Sequence, residues 1–102
     1  MYMMQILLPL TSPNGELFPR THYALTEREL ISHFKGFTAY PRAPASGLWK
    51  NADASIEKDD LVVYEVLAND RDAAWWSNFR QSLETRFEQE KILIISHEVS
   101  IM

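Results

Sequence analysis

One ionisable side chain, Glu65, stands inside the apolar run Leu61-Val62-Val63-Tyr64-Glu65-Val66-Leu67. Burying a carboxylate in such surroundings is costly unless it is paired or hydrogen-bonded. Two readings follow. Glu65 is a carboxyl in a pocket, with a raised pKa and the capacity to act as acid or base or to hold a ligand. Otherwise it is one half of an ion pair or a tyrosine hydrogen bond in a sheet or dimer interface. Upstream, the stretch FTAYPRAPASGLWK, residues 37–50, supplies groups that could complete a pocket. Arg42, between Pro41 and Pro44, carries a planar fork suited to an anionic ligand group. Trp49 can stack on a planar ligand or close the pocket, and Tyr40 with Glu65 can set the polarity inside; the ordinary alternative for these aromatics is core or interface packing.

His22, His33 and His97 are spaced like no metal-ligand signature, so no metal is expected. Of the three, His22 is best placed to sit at a cleft mouth, in the polar loop after the first strand, and joins Glu65 as a candidate catalytic base. No GxGxxG, GxxxxGKS or GxSxG motif occurs and only Gly15, Gly36 and Gly47 are present, so a phosphate-cradling loop is unsupported and no cofactor is expected. The absence of cysteine excludes disulfides, thiolate metal sites and cysteine nucleophiles.

These groups must be positioned by a small fold. A chain of 102 residues with 46% apolar content suits a single domain over 1–102. The net charge of −4 and the scattering of the ten Lys and Arg residues argue against nucleic acid as a partner. The opening MYMMQILLPL lacks a basic leader and falls far short of the ~20 residues that span a bilayer. It reads as a strand, and the expected location is the cytoplasm, without membrane attachment.

Strands are predicted at Met3–Leu10, Phe37–Tyr40, Leu61–Ala68 and Lys91–Met102, the second broken at Pro41, which cannot donate to a ladder. Between strands two and three, residues 41–58 form an arm whose Leu48–Lys50 and Ser55–Glu57 flank a hairpin tip. Pairing Trp49 with Ile56 and continuing in register puts Tyr40 near Glu65 and Arg42 near Val63, with room for a bulge at the prolines. A first helix is predicted at about Glu27 to Lys35, opened by a capping box of Thr26 and Glu29 and stopped by Gly36. A second runs from about Arg71 to Gln89, with N-cap oxygens from Asn69 and Asp70 and a buried stripe of Trp76, Phe79, Leu83 and Phe87 that Trp75 borders.

The order β-α-β-β-α-β predicts a ferredoxin-like α+β sandwich, sheet order 4-1-3-2, with both helices on one face. Its strands are apolar on both sides, so a second subunit or a ligand is expected to cover the other face. An RNA-recognition module shares the order but needs a basic-aromatic third strand, which LVVYEVL is not.

The segments FKGFTAY, RAPASGLW, the Glu65-Val66 pair and WWSNFRQSLETRFEQEKILI resemble, over nearly the whole chain, a widespread bacterial family of small proteins with a G-x-T-x-Y, G-L-W, L-E-x-x-F-x-Q-E pattern. That family carries no activity to transfer, and Lys35-Gly36-Phe37 stands where its pattern has paired glycines. In fold, the chain also resembles the dimeric α+β barrel proteins, whose two subunits pack sheet to sheet around small ligands; the group implies a homodimer but transfers no catalytic residue. The leading expectation is small-molecule binding in a sheet-face pocket lined by Tyr40, Arg42, Trp49 and Glu65, bounded by the loop from Thr11 to Leu25 and the arm. One alternative is a cofactor-independent enzyme of the barrel type, a monooxygenase or isomerase-like protein with Glu65 or His22 as base. The other is a protein-interaction module docking through the sheet or the Trp75 surface.

Overall fold

The computed structural model describes residues 1–34, 38–40, 46–50 and 56–102, and of 38–40, 46–50 and 56–60 the strand pairing alone. The elements run β1 (Tyr2–Pro9), α1 (Arg20–His33), β2 (Thr38–Tyr40), β3 (Ser46–Lys50), β4 (Ile56–Ala68), α2 (Ala73–Arg86) and β5 (Leu93–Glu98). All pairings are antiparallel. The sheet follows the order β2-β4-β1-β5, with β3 off that path on β4.

The expected four strands are five. The arm contributes a strand of its own, β3, against the first half of a β4 that is 13 residues long. The register also differs from the expected one. Trp49 lies opposite Glu57 rather than Ile56, Tyr40 opposite Val63, and Thr38, not Tyr40, opposite Glu65. Between the pairs Tyr40↔Val63 and Ser46↔Asp60, residues 41–45 on one side answer only 61–62 on the other. The register therefore changes between these pairs, and Pro41 and Pro44, which lie between them in sequence, are outside the described residues.

Alternation divides the sheet into two faces. Met4, Ile6 and Leu8 of β1 and Val62, Tyr64 and Val66 of β4 are buried together with Leu30 of α1 and Trp76, Phe79 and Leu83 of α2, and with Phe18, Phe87 and Ile92. Both helices therefore cover this face. The predicted stripe on α2 is the observed one, and Trp75 lies half-buried beside it.

Helix α1 starts at Arg20, after Pro19 as N-cap, and not near Glu27. Thr26 is consequently mid-helix and fully buried. Its hydroxyl donates to the His22 carbonyl at 2.8 Å and accepts from Arg86 Nη1 at 2.8 Å, while Arg86 Nη2 lies 2.6 Å from Glu29 Oε1. The Thr-x-x-Glu pattern thus clasps α1 to the end of α2 instead of capping: residues three apart share a helix face whether or not the first begins the helix. The helix gives way at Phe34, whose amide still donates to the Leu30 carbonyl at 2.8 Å; the stop expected at Gly36 lies outside the described residues.

Helix α2 is shorter than predicted at both ends. Asp72, rather than Asn69 or Asp70, precedes it, in the left-handed region at φ 40° and without a side-chain cap. At the other end Glu88 is left-handed at φ 51°. The amides of Gln89 and Glu88 donate to the carbonyls of Glu84 and Thr85 at 3.0 and 3.3 Å, the two-bond closure in which glycine usually takes the left-handed position.

Candidate functional site

The face of the sheet away from the helices carries Met3, Gln5 and Leu7 of β1, Leu61, Val63, Glu65 and Leu67 of β4, and Leu93, Ile95 and His97 of β5, all partly or largely accessible. Leu67 and Leu93 are 45% and 53% exposed. Register sets Gln5 directly opposite Glu65 on one side and Ile95 on the other. Across this apolar surface runs one polar row. The Gln5 side-chain amide donates from Nε2 to Glu65 Oε2 at 2.7 Å, and His97 Nε2 lies 3.2 Å from Gln5 Oε1. An amide oxygen can only accept, so His97 donates from Nε2. In its neutral form the imidazole then presents Nδ1 as an acceptor.

This arrangement answers the question that Glu65 raises. The carboxylate is sustained by an amide donor from the neighbouring strand, with the imidazole polarising that amide from behind. Such a row can accept a hydrogen bond from a ligand at one end, donate or accept through histidine at the other, and offer Met3, Leu7, Val63 and Ile95 to an apolar ligand body. In sequence, Gln5 carries no site signal and His97 stands out only as a histidine of the trio that matches no metal-ligand spacing. The signal was present in the antiparallel pairing of β1 with β4, in which position numbers sum to 70, as for Gln5↔Glu65.

The other candidates fall elsewhere. His22 is in the first turn of α1, not in a loop, its ring stacked 5.8 Å from that of Phe18 and edge-on 5.7 Å from that of Phe87. That is the helix layer, across the sheet from Glu65, so the two candidate bases do not share a site. Tyr40 and Trp49 belong to β2 and β3, where their backbone partners are Val63 and Glu57, and Arg42 lies outside the described residues. The loop expected from Thr11 to Leu25 is shorter, since α1 begins at Arg20; it is pinched by a bridge between Thr11 and Leu17 and turns at Gly15, where φ is 83°. Among the described residues no group of three or more His, Asp or Glu side chains could hold a metal ion, and no helix is long and apolar enough to cross a membrane.

Buried hydroxyls mark the helix side instead. Tyr64 donates to Glu27 Oε2 at 2.7 Å and Tyr23 to the Pro9 carbonyl at 2.6 Å. Burial pushes the Tyr23 phenol up to about 12. Tyr64 is raised further, by burial first and then by its hydrogen bond to the Glu27 carboxylate.

No family model matches the chain, and no curated protein matches it. Solved structures do. CutA from the phytopathogenic bacterium Xylella fastidiosa is similar with a TM-score of 0.61 at 16% identity, over 99% of this chain and 85% of that one. A variant of CutA1 from Pyrococcus horikoshii gives 0.60 at 14% identity, over 100% and 86%. A phage SAM lyase in complex with S-methyl-5'-thioadenosine gives 0.60 at 11% identity, over 95% and 80%. At these identities the likeness is one of fold, a small ferredoxin-like α+β architecture.

Proposed function

We propose that the chain is a cytoplasmic small-molecule-binding protein, a single domain over residues 1–102 that forms a homodimer through its uncovered sheet face. The ligand lies over the row Glu65–Gln5–His97. One observation carries the reading: among the residues whose side chains are described, a hydrogen-bonded polar row crosses an otherwise apolar sheet face that none of them covers. Accessible apolar surface of this kind, rimmed and crossed by polar groups, is typical of binding or association surfaces. A second copy packed sheet to sheet, as in an α+β barrel, would remove Leu67 and Leu93 from water and enclose the row.

In this reading Glu65 accepts from a donor on the ligand and His97 sets the polarity at the far end. Tyr40, Arg42 and Trp49 serve as ligand contacts from the adjoining β2 and arm, a role argued from their chemistry: Arg42 for an anionic group, Trp49 for stacking and Tyr40 for a hydrogen bond. The ligand is accordingly a planar, largely apolar molecule with a hydrogen-bond donor and an anionic group. Sedimentation velocity at micromolar concentration tests the assembly. The wild type is expected to run as a dimer, and Leu67→Glu with Leu93→Glu as a folded monomer, because charges are expensive to desolvate at an interface. A monomeric wild type, or a dimer indifferent to both substitutions, contradicts the proposal.

A further inference from the structure

On the helix side of the sheet, a recess of about 220 Å³ opens where the first half of α2 overhangs the edge strand β5, and Met4, Arg71, Trp76, Arg80, Ile94 and Ser96 line it. The local structure explains the gathering. Trp76 and Arg80 are one turn apart on α2, and Ile94 and Ser96 alternate onto the helix-facing side of β5, opposite Ile6 and Met4.

Two of these side chains have unmet hydrogen bonding. Trp76 is only 6% exposed, and its indole Nε1 is buried without a partner; the Ser96 hydroxyl is likewise buried and unpartnered. Buried polar groups are satisfied in the great majority of cases, and both of these orphan atoms belong to side chains that line the recess.

The charge there is positive although the chain is acidic overall. The Arg71 guanidinium stands 5.5 Å from the centre of the Tyr2 ring. Arg80 Nε is 3.9 Å from Glu84 Oε2, the outer limit of an ion pair, and that same carboxylate oxygen accepts from the Ile92 amide at 3.0 Å. The recess also reaches Ala73 in the first turn of α2, a helix whose start has no side-chain cap and whose dipole favours negative charge. Two acids flank Arg71, Asp70 and Asp72, and Asp72 has its Oδ2 directed to His33 at 3.4 Å.

We propose that this recess binds a small organic oxyanion, a carboxylate or phosphate on a compact apolar body. Arg71 and Arg80 hold the charge, the Trp76 indole and the Ser96 hydroxyl donate to its oxygens, and Met4 and Ile94 receive the apolar part. This site lies across the sheet from the Glu65 row and does not depend on it.

The test is an NMR titration of the full chain with benzoate, phenyl phosphate and inorganic phosphate, following the indole N–H resonance of Trp76 with that of Trp75 as reference. A saturable shift of Trp76 and not of Trp75 is expected with benzoate or phenyl phosphate, and the one that binds identifies the head group. Arg80→Gln and Arg71→Gln should each weaken it about tenfold or more while leaving the melting temperature near wild type, Ser96→Ala should weaken it less, and Glu65→Gln should leave it unchanged. No saturable shift with any of the three, an affinity indifferent to both arginine substitutions, or inorganic phosphate binding as well as phenyl phosphate would overturn the proposal.

Discussion

At the scale of single residues, hydrogen-bond partners decide what each polar group in this chain can do. Glu65 is tolerable in an apolar strand because it is partly accessible and Gln5 donates to it, with His97 behind Gln5. Removing the charge while keeping the shape, as in Glu65→Gln, alters what the row offers a ligand without opening a cavity. The buried tyrosines make a different statement, about pH. A tyrosine in the unfolded chain ionises near 10, whereas folding holds Tyr23 protonated to about 12 and Tyr64 beyond that. Both pKa values are raised on folding, so the stability they contribute is fully present below about pH 10 and is lost as pH climbs through the folded values. Tyr23→Phe should cost about 1 kcal/mol near neutrality, through the lost hydrogen bond to the Pro9 carbonyl. It should also lose less stability than the wild type between about pH 10 and about pH 12. Chemical denaturation on either side of pH 10 measures both effects, and parallel pH profiles for the two proteins would contradict the linkage.

At the scale of elements, termination matters more than propensity. The left-handed Glu88 that closes α2 occupies a position where a Cβ is disfavoured. Glu88→Gly is therefore expected to stabilise the fold by about 1 kcal/mol, read as a rise in denaturant midpoint at unchanged slope. A loss of stability would mean that the Glu88 side chain contributes more than its backbone costs.

This is also the scale at which the sequence was most and least legible. The Trp76-Phe79-Leu83-Phe87 stripe and the double-sided apolarity of β1 declare themselves by period, because burial selects side chains one by one. The start of α1 does not. Thr26-x-x-Glu29 has the spacing of a cap, but the same spacing serves the clasp on Arg86, and the partner is 60 residues away in sequence. The register of β2 was hidden for a similar reason, since nothing local to Pro41 and Pro44 tells how many residues the interruption absorbs. Of the site, Glu65 was visible as a charge out of place. Gln5 and His97 were not, because an amide in β1 and an imidazole in β5 become neighbours only once β1 lies between β4 and β5.

At the scale of the whole molecule, a fold shared with CutA proteins and a phage SAM lyase buries one sheet face under two helices and leaves the other accessible. We propose that a ligand binds on this second face, over its row of Glu65, Gln5 and His97. The most direct measurement is a titration of the full chain with anthranilate and indoleacetate, planar molecules that pair an N–H donor with a carboxylate, observed at the Gln5 side-chain amide and the His97 imidazole by NMR. The predicted result is a saturable shift at both groups that Glu65→Gln weakens about tenfold, the worth of one charge-assisted hydrogen bond. Shifts absent from both groups, or unchanged in Glu65→Gln, would contradict it.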